Sequence, residues 1–333
     1  MTINDNSKQL GSIKTGGTLR RKPRLSLGVI CLFILLFQVV TIHFNGAWDY
    51  IQNVSGGALI SDWSSTHMYR GLLYFGFISI LAEVINYSFI INLCYVIFPV
   101  VIFFFYSKLT YKRSALWLIV YFNLIILGQN GYLLKMMVAQ SVLLGLLVMI
   151  HQRRSVVLTL ALPLLFHIQA AVAMLGLFHS FNRLTVASIV LVVATLILGS
   201  LEIIVPQLFL VIERAGLSND GLEFGDFNKI GLLLIFTYMT TSLLVLGKWK
   251  DKDTVTRIIE RIIDGSLIIA LIFLSSSIPI VSNRILDFIW LLILVYLGRA
   301  PLTLVLRRTI IIPLFFLSTL WSLPFYVTNI LKF

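Results

Sequence analysis

From Leu25 to Phe333 apolar residues run in long blocks, and the breaks between blocks hold most of the Lys, Arg, Asn, Asp and Gly. A membrane-spanning helix needs ~20 mostly apolar residues, whereas a transmembrane barrel would show short alternating segments. The pattern predicts an all-α fold: a polytopic transmembrane helical bundle of about 10–11 membrane segments, some short or re-entrant, with an outer-face cavity. The predicted segments are 25–44, a short helix at 71–86, 89–107, 114–130, 133–150, two half-helices over 155–182 broken at Pro163, 185–201, 230–247, 265–281, 285–298 and 309–330. Extracytoplasmic loops are expected near 45–70 and 202–229, and KWKDKDTVTRIIERIID (248–264) reads as an inner loop. Residues 25–333 then form one transmembrane domain.

Composition strengthens this reading. The 333 residues are 59% hydrophobic and 12% charged, with a mean hydropathy of +0.96. Soluble domains are roughly 45–50% apolar and about 25% charged, so a soluble enzyme is excluded. The net charge of +12 would suggest nucleic acid in a soluble chain, but its distribution points elsewhere. Residues 1–24 carry Lys8, Lys14, Arg20, Arg21, Lys22 and Arg24 against Asp5, which predicts a basic, disordered cytoplasmic tail drawn to anionic lipid. No small-residue cleavage site follows the run 25–42, so it is expected to stay as an uncleaved first span.

Following the spans outward and back puts twenty of the 26 Lys and Arg inside. Outside are Arg70, Lys135, Arg214, Lys229, Arg284 and Lys332, the asymmetry expected of cytoplasmic loops. Cys31 and Cys94 lie in apolar spans without metal-ligand spacing and are expected to pack.

A charge at the bilayer centre costs roughly 2.5–3.5 kcal/mol on insertion scales, so ionisable groups within apolar segments are candidates for function. Asp49, Lys135, His167, Arg284 and Asp287 are expected at or just below the outer interface. Basic groups meeting a His and a carboxylate suit an anionic phosphate and a proton transfer. Each also has a structural reading: Lys135 can snorkel, Arg284 and Asp287 can neutralise each other, His167 can bond a carbonyl freed by Pro163, and Asp49 can belong to an aromatic belt. Arg70 and Arg214 are further basic candidates, and the spacing of His and carboxylates offers no metal cage.

At these residues the chain resembles the EpsG-type, Wzy-like polysaccharide polymerases, membrane glycosyltransferases acting on lipid-linked sugar repeats. Trp48-Asp49-Tyr50 matches an Asp-aromatic pair in an early outer loop, and Lys135 to Gln140 matches a basic residue opening a span with Ala139 downstream. Phe166-His167-Ile168-Gln169-Ala170 matches Phe-His-x-Ser-Ala, and Ser282-Asn283-Arg284 opens an aromatic-rich span with Phe288 and Trp290. Lys135 stands where the family has Arg, Met136 and Gln169 where it has Gln and Ser, and His67–Gly71 where it has Glu-x-Gly-Tyr.

The resemblance implies an exopolysaccharide or O-antigen polymerase of the bacterial cytoplasmic membrane, with a cytoplasmic N-terminus. It would join polyprenyl-diphosphate-linked oligosaccharide repeats at the outer face, without metal or other cofactor. His167 would be the general base and Asp49 its partner. Arg284, Lys135, Arg70, Arg214, Asp287 and Gln140 would bind diphosphate and sugar. Membrane lipid, a chain-length regulator and a flippase of the same pathway are the implied partners, and nucleic acid is not. An O-antigen-ligase-like glycosyltransferase and a lipid-linked-sugar flippase or transporter are the alternatives.

Overall fold

The computed structural model describes residues 81, 84–110, 119–121, 123, 133–152, 162–163, 170, 174–178, 182, 185–186, 189, 229–246, 249, 252–275, 279–302 and 304–330. Its described elements are helices α1 (Tyr87–Leu109), α2 (Leu133–His151), α3 (Lys229–Leu244), α4 (Thr254–Ser275), α5 (Pro279–Arg299) and α6 (Leu304–Ile330), with a 3₁₀ turn at Gly176–Phe178. Among the described residues there is no strand, and the described part of the fold is all-α. Among them, too, no helix is long and apolar enough to cross a membrane.

Helix α5 is the centre. Every residue from Phe288 to Arg299 is buried, as expected of a helix apolar on all faces. Helices α1, α2, α3 and α4 all pack on it, and α1 packs along α2. α4 and α5 form the tightest pair, an antiparallel hairpin in which Pro279 opens α5. Proline suits a first helical position because its missing N–H has no intrahelical acceptor there.

The peripheral helices are two-sided in an unusual sense. On α1, Ile90, Cys94, Ile102 and Tyr106 face the core while Phe89, Leu93, Ile97 and Phe104 are exposed. On α6, Ile311 and Leu314 are buried while Ile312, Phe316, Leu317, Leu320 and Leu323 are exposed. The side turned away from the core is therefore as apolar as the side turned toward it. Polar groups instead lie inside: Gln140, Ser141, Thr256, Asp264, Ser266 and Arg299 are all buried.

At one point backbones nearly touch. A Cβ on Gly265 of α4 would lie 2.2 Å from the Cα of Gly176 in the 3₁₀ turn. Only glycine on both sides permits this approach, and it sets the turn against the middle of α4.

Helix bounds at 87–109, 133–151, 229–244 and 304–330 follow the expected segments to within a few residues. Two expectations need correction. The stretch 248–264 is not an inner loop along its whole length, because α4 begins at Thr254. Asp253 caps it: Oδ1 accepts the Thr256 backbone N–H at 3.0 Å. The charges there follow helical spacing, with Arg257 and Arg261 exposed and Val255, Ile259, Ile262 and Ile263 buried. The segment placed at 285–298 begins at Pro279, which moves Arg284 and Asp287 from the helix start to its second and third turns. The tail 1–24, the loops 45–70 and 202–228, the segment 71–80 and about two thirds of 155–182 lie outside the described residues, as do Asp49, Arg70, His167 and Arg214.

Candidate functional site

One end of the bundle is fixed by a charged junction that the sequence reading did not single out. Arg299, the last residue of α5, is 2% exposed. Its Nε donates to Thr256 Oγ1 at 2.9 Å, one terminal nitrogen donates to the Leu109 carbonyl at the end of α1, and the other pairs with the Asp253 carboxylate. His151 Nδ1, at the end of α2, lies 3.4 Å from the same carboxylate. Partial burial pushes the Asp253 carboxyl up, but the Thr256 donors and the Arg299 charge outweigh it and hold the group below the usual carboxylate range. Beside the junction, Lys252 pairs with Glu260 at 2.7 Å. The C-termini of α1, α2 and α5 and the N-terminus of α4 thus meet at one level.

α1, α2 and α5 therefore run in parallel, and distance from the junction can be counted along them. Gln140 of α2 bonds α5 at the backbone carbonyls of Asp287 (3.3 Å) and Phe288 (2.9 Å). That level is about 17 Å from the junction at ~1.5 Å per residue. Five residues further out on α2 is Lys135, and three residues further out on α5 from Asp287 is Arg284. The backbones of Lys135 and Arg284 are thus at the same height within about one turn. The side chain of Lys135 lies outside the described residues.

Around this level the polar groups are connected. The Tyr121 hydroxyl donates to Gln140 Oε1, and both side chains are buried. Asp287 is within electrostatic reach of Tyr121, and Arg284 of Asp287. Arg284 and Asp287 are partly buried. Two residues along from Tyr121, the Asn123 amide donates to Ser318 (3.1 Å) and Thr319 (3.2 Å) of α6.

Of the residues expected to form the site, Arg284, Asp287 and Gln140 come together, and the backbone of Lys135 lies at their height. Asp49, His167, Arg70 and Arg214 fall outside the described residues. Two buried polar groups were missed, one in this network and one outside it. Tyr121 carries no sequence signal, being one aromatic in an apolar run. Asp264, counted with the inner loop, is instead buried in α4 and accepts the Tyr238 hydroxyl at 2.6 Å. Among the described residues no group of three or more His, Cys, Asp or Glu could hold a metal ion.

No family model, curated protein or solved structure matches the chain.

Proposed function

We propose that the chain is a membrane glycosyltransferase that joins polyprenyl-diphosphate-linked oligosaccharide repeats at the outer face of a bacterial cytoplasmic membrane. Membrane residence is supported by the apolar blocks from Leu25 to Phe333 and by bundle helices apolar on both sides, with polar groups turned inward. A water-soluble fold arranges its surface the other way round. The 3₁₀ turn fits the same reading, since irregular backbone at membrane depth has to be covered by protein, here by α4.

The observation that carries the chemistry is Arg284, partly buried beside Asp287 and far from the junction, with the backbone of Lys135 on α2 within about one turn of that height. Two cations at one level, on neighbouring helices, suit a diphosphate. The guanidinium can fork two phosphate oxygens while the ammonium acts as a point charge. As the anomeric C–O bond to the diphosphate breaks, negative charge grows on the departing oxygen, and cations fixed in a poorly solvated setting stabilise it most. Bond formation needs the acceptor hydroxyl to lose a proton. His167 is assigned as that base because an imidazole titrates near neutral pH, with Asp49 orienting it or a sugar hydroxyl. Arg70 and Arg214 are assigned to the outer-loop side of the substrate, and Asp287 to setting the position of Arg284.

The test is incubation of the purified full-length protein with a lipid-linked repeat unit. A ladder of longer glycans supports polymerisation. A single transfer to a different acceptor indicates a ligase, and movement across vesicles without a new bond indicates a flippase. Arg284→Ala and His167→Ala should insert normally and lose the ladder. Either variant retaining wild-type activity removes the assignment.

A further inference from the structure

Gln140 is buried and already engaged on both sides of its amide. Its oxygen accepts the Tyr121 hydroxyl, and its nitrogen donates to the carbonyls of Asp287 and Phe288. A side-chain amide offers two donors and one acceptor oxygen, so this arrangement leaves both amide protons directed at α5. A residue held this way is poorly placed to bind a sugar. It is well placed to hold one helix in register with another.

The register matters because of what lies on either side. Lys135 is five residues from Gln140 on α2, and Arg284 is three residues from Asp287 on α5. The flanking side chains are apolar: Met136, Met137, Val138, Ala139 and Leu143 on α2, and Ile285, Phe288 and Ile289 on α5, are all buried. Apolar packing is non-directional, and a slide of one helix along another changes its energy little until ridges meet ridges. The polar bonds from Gln140 single out one position along the helix axis. Tyr121, from a third stretch of chain, fixes the amide rotamer, and Asn123 two residues on ties that stretch to α6.

We propose that Tyr121 and Gln140 are positioning residues that lock α2 to α5 at Asp287 and Phe288, one turn from Arg284, and so hold Arg284 where it can grip a diphosphate. The inference rests on the diphosphate reading above. It replaces the role of Gln140 as a substrate ligand and adds Tyr121 to the site.

The discriminating variant is the double change Tyr121→Phe with Gln140→Met. Removing one partner of a buried hydrogen bond leaves the other unsatisfied, whereas replacing both with apolar groups of similar shape is close to neutral. The double variant should therefore unfold at nearly the wild-type temperature in detergent but no longer fix the register. The probe is farnesyl diphosphate, titrated against the full-length solubilised protein by thermophoresis, with wild type and Arg284→Ala in parallel. Expected is saturable binding by wild type, loss of it in Arg284→Ala, and at least fivefold weaker binding in the double variant at unchanged unfolding temperature.

Wild-type affinity in the double variant, with Arg284→Ala defective, overturns the positioning role and leaves the diphosphate reading standing. Wild type failing to bind, or Arg284→Ala binding as well as wild type, overturns the diphosphate reading and this proposal with it. If the double variant does not fold, Gln140→Met alone serves, since it removes the bonds from α2 to both α5 carbonyls, and unchanged affinity there at a measured unfolding temperature is equally decisive against the role.

Discussion

Arg299 shows how much one side chain can hold. Its guanidinium meets a hydroxyl, a carbonyl and a carboxylate contributed by two other helix ends and the residue capping one of them. Five donors in a planar fork make this possible, and an ammonium has no equivalent geometry. Arg299→Ala would take the buried guanidinium from the partly buried Asp253 carboxylate and from the Leu109 carbonyl, a change expected to cost about 1–3 kcal/mol. Arg299→Lys should recover only part of that. Thermal unfolding of the purified variants, in detergent, measures both. The Asp253 carboxyl makes a second prediction at the same residue scale. Because its folded form titrates below the ordinary carboxylate range, the ionised group contributes stability that is fully present above its unfolded pKa and fades as pH falls through the folded one. Unfolding temperature should therefore drop on acidification below about pH 4, and Asp253→Asn should be less stable at neutral pH but show a shallower acid limb. An equally steep limb in Asp253→Asn would remove this carboxyl as the cause.

At the scale of elements, the contact of Gly265 with Gly176 asks for the tightest test. A methyl on Gly265 would meet backbone rather than a movable side chain, so Gly265→Ala should destabilise by about 1–3 kcal/mol or more, as overpacking does. A Gly145→Ala change on α2 meets only the edge of the Phe105 ring at 3.2 Å and should be milder; equal losses would contradict the reading of the 3₁₀ turn. Of the described helices, α1, α2, α3 and α6 were legible in the chain, because each lies on an apolar block read from the sequence to within about five residues. What was not legible had a physical cause. The start of α4 was hidden by counting its charges as a loop. Yet Asp253 followed by Thr254 and Thr256 is an N-cap pattern, and the exposed Arg257 and Arg261 are four apart. The junction at Arg299 depends on four helix ends brought together in space, and Tyr121 depends on which aromatic of an apolar run turns toward Gln140. Neither follows from spacing along one segment. The pairing of Gln140 with Asp287 lies 147 residues apart, although Asp287 was named as a candidate from its charge and Gln140 from the family resemblance.

Across the whole molecule, the arrangement divides its charges by height. The junction of Asp253, His151 and Arg299 marks one end, and Arg284, with the helix start holding Lys135, lies about 20 Å away by helical rise. On the proposed membrane reading, that separation would put the basic junction on the cytoplasmic side and Arg284 toward the opposite interface, where a diphosphate-bearing lipid would present its charged head. The orientation can be read by single-cysteine labelling in intact cells with a membrane-impermeant maleimide, after replacing Cys31 and Cys94. Gln152 and Arg308 are exposed near the junction end, and a cysteine at either should react only once the membrane is opened. Asn86, exposed just before α1 at the other end, should accept label from outside. Reaction of all three from the same side would break the parallel run of α1, α2 and α5 across a bilayer. Reaction of positions 152 and 308 from outside, with 86 protected, would invert the bundle and put Arg284 on the cytoplasmic face, where a lipid-linked repeat that has already crossed the membrane could not reach it.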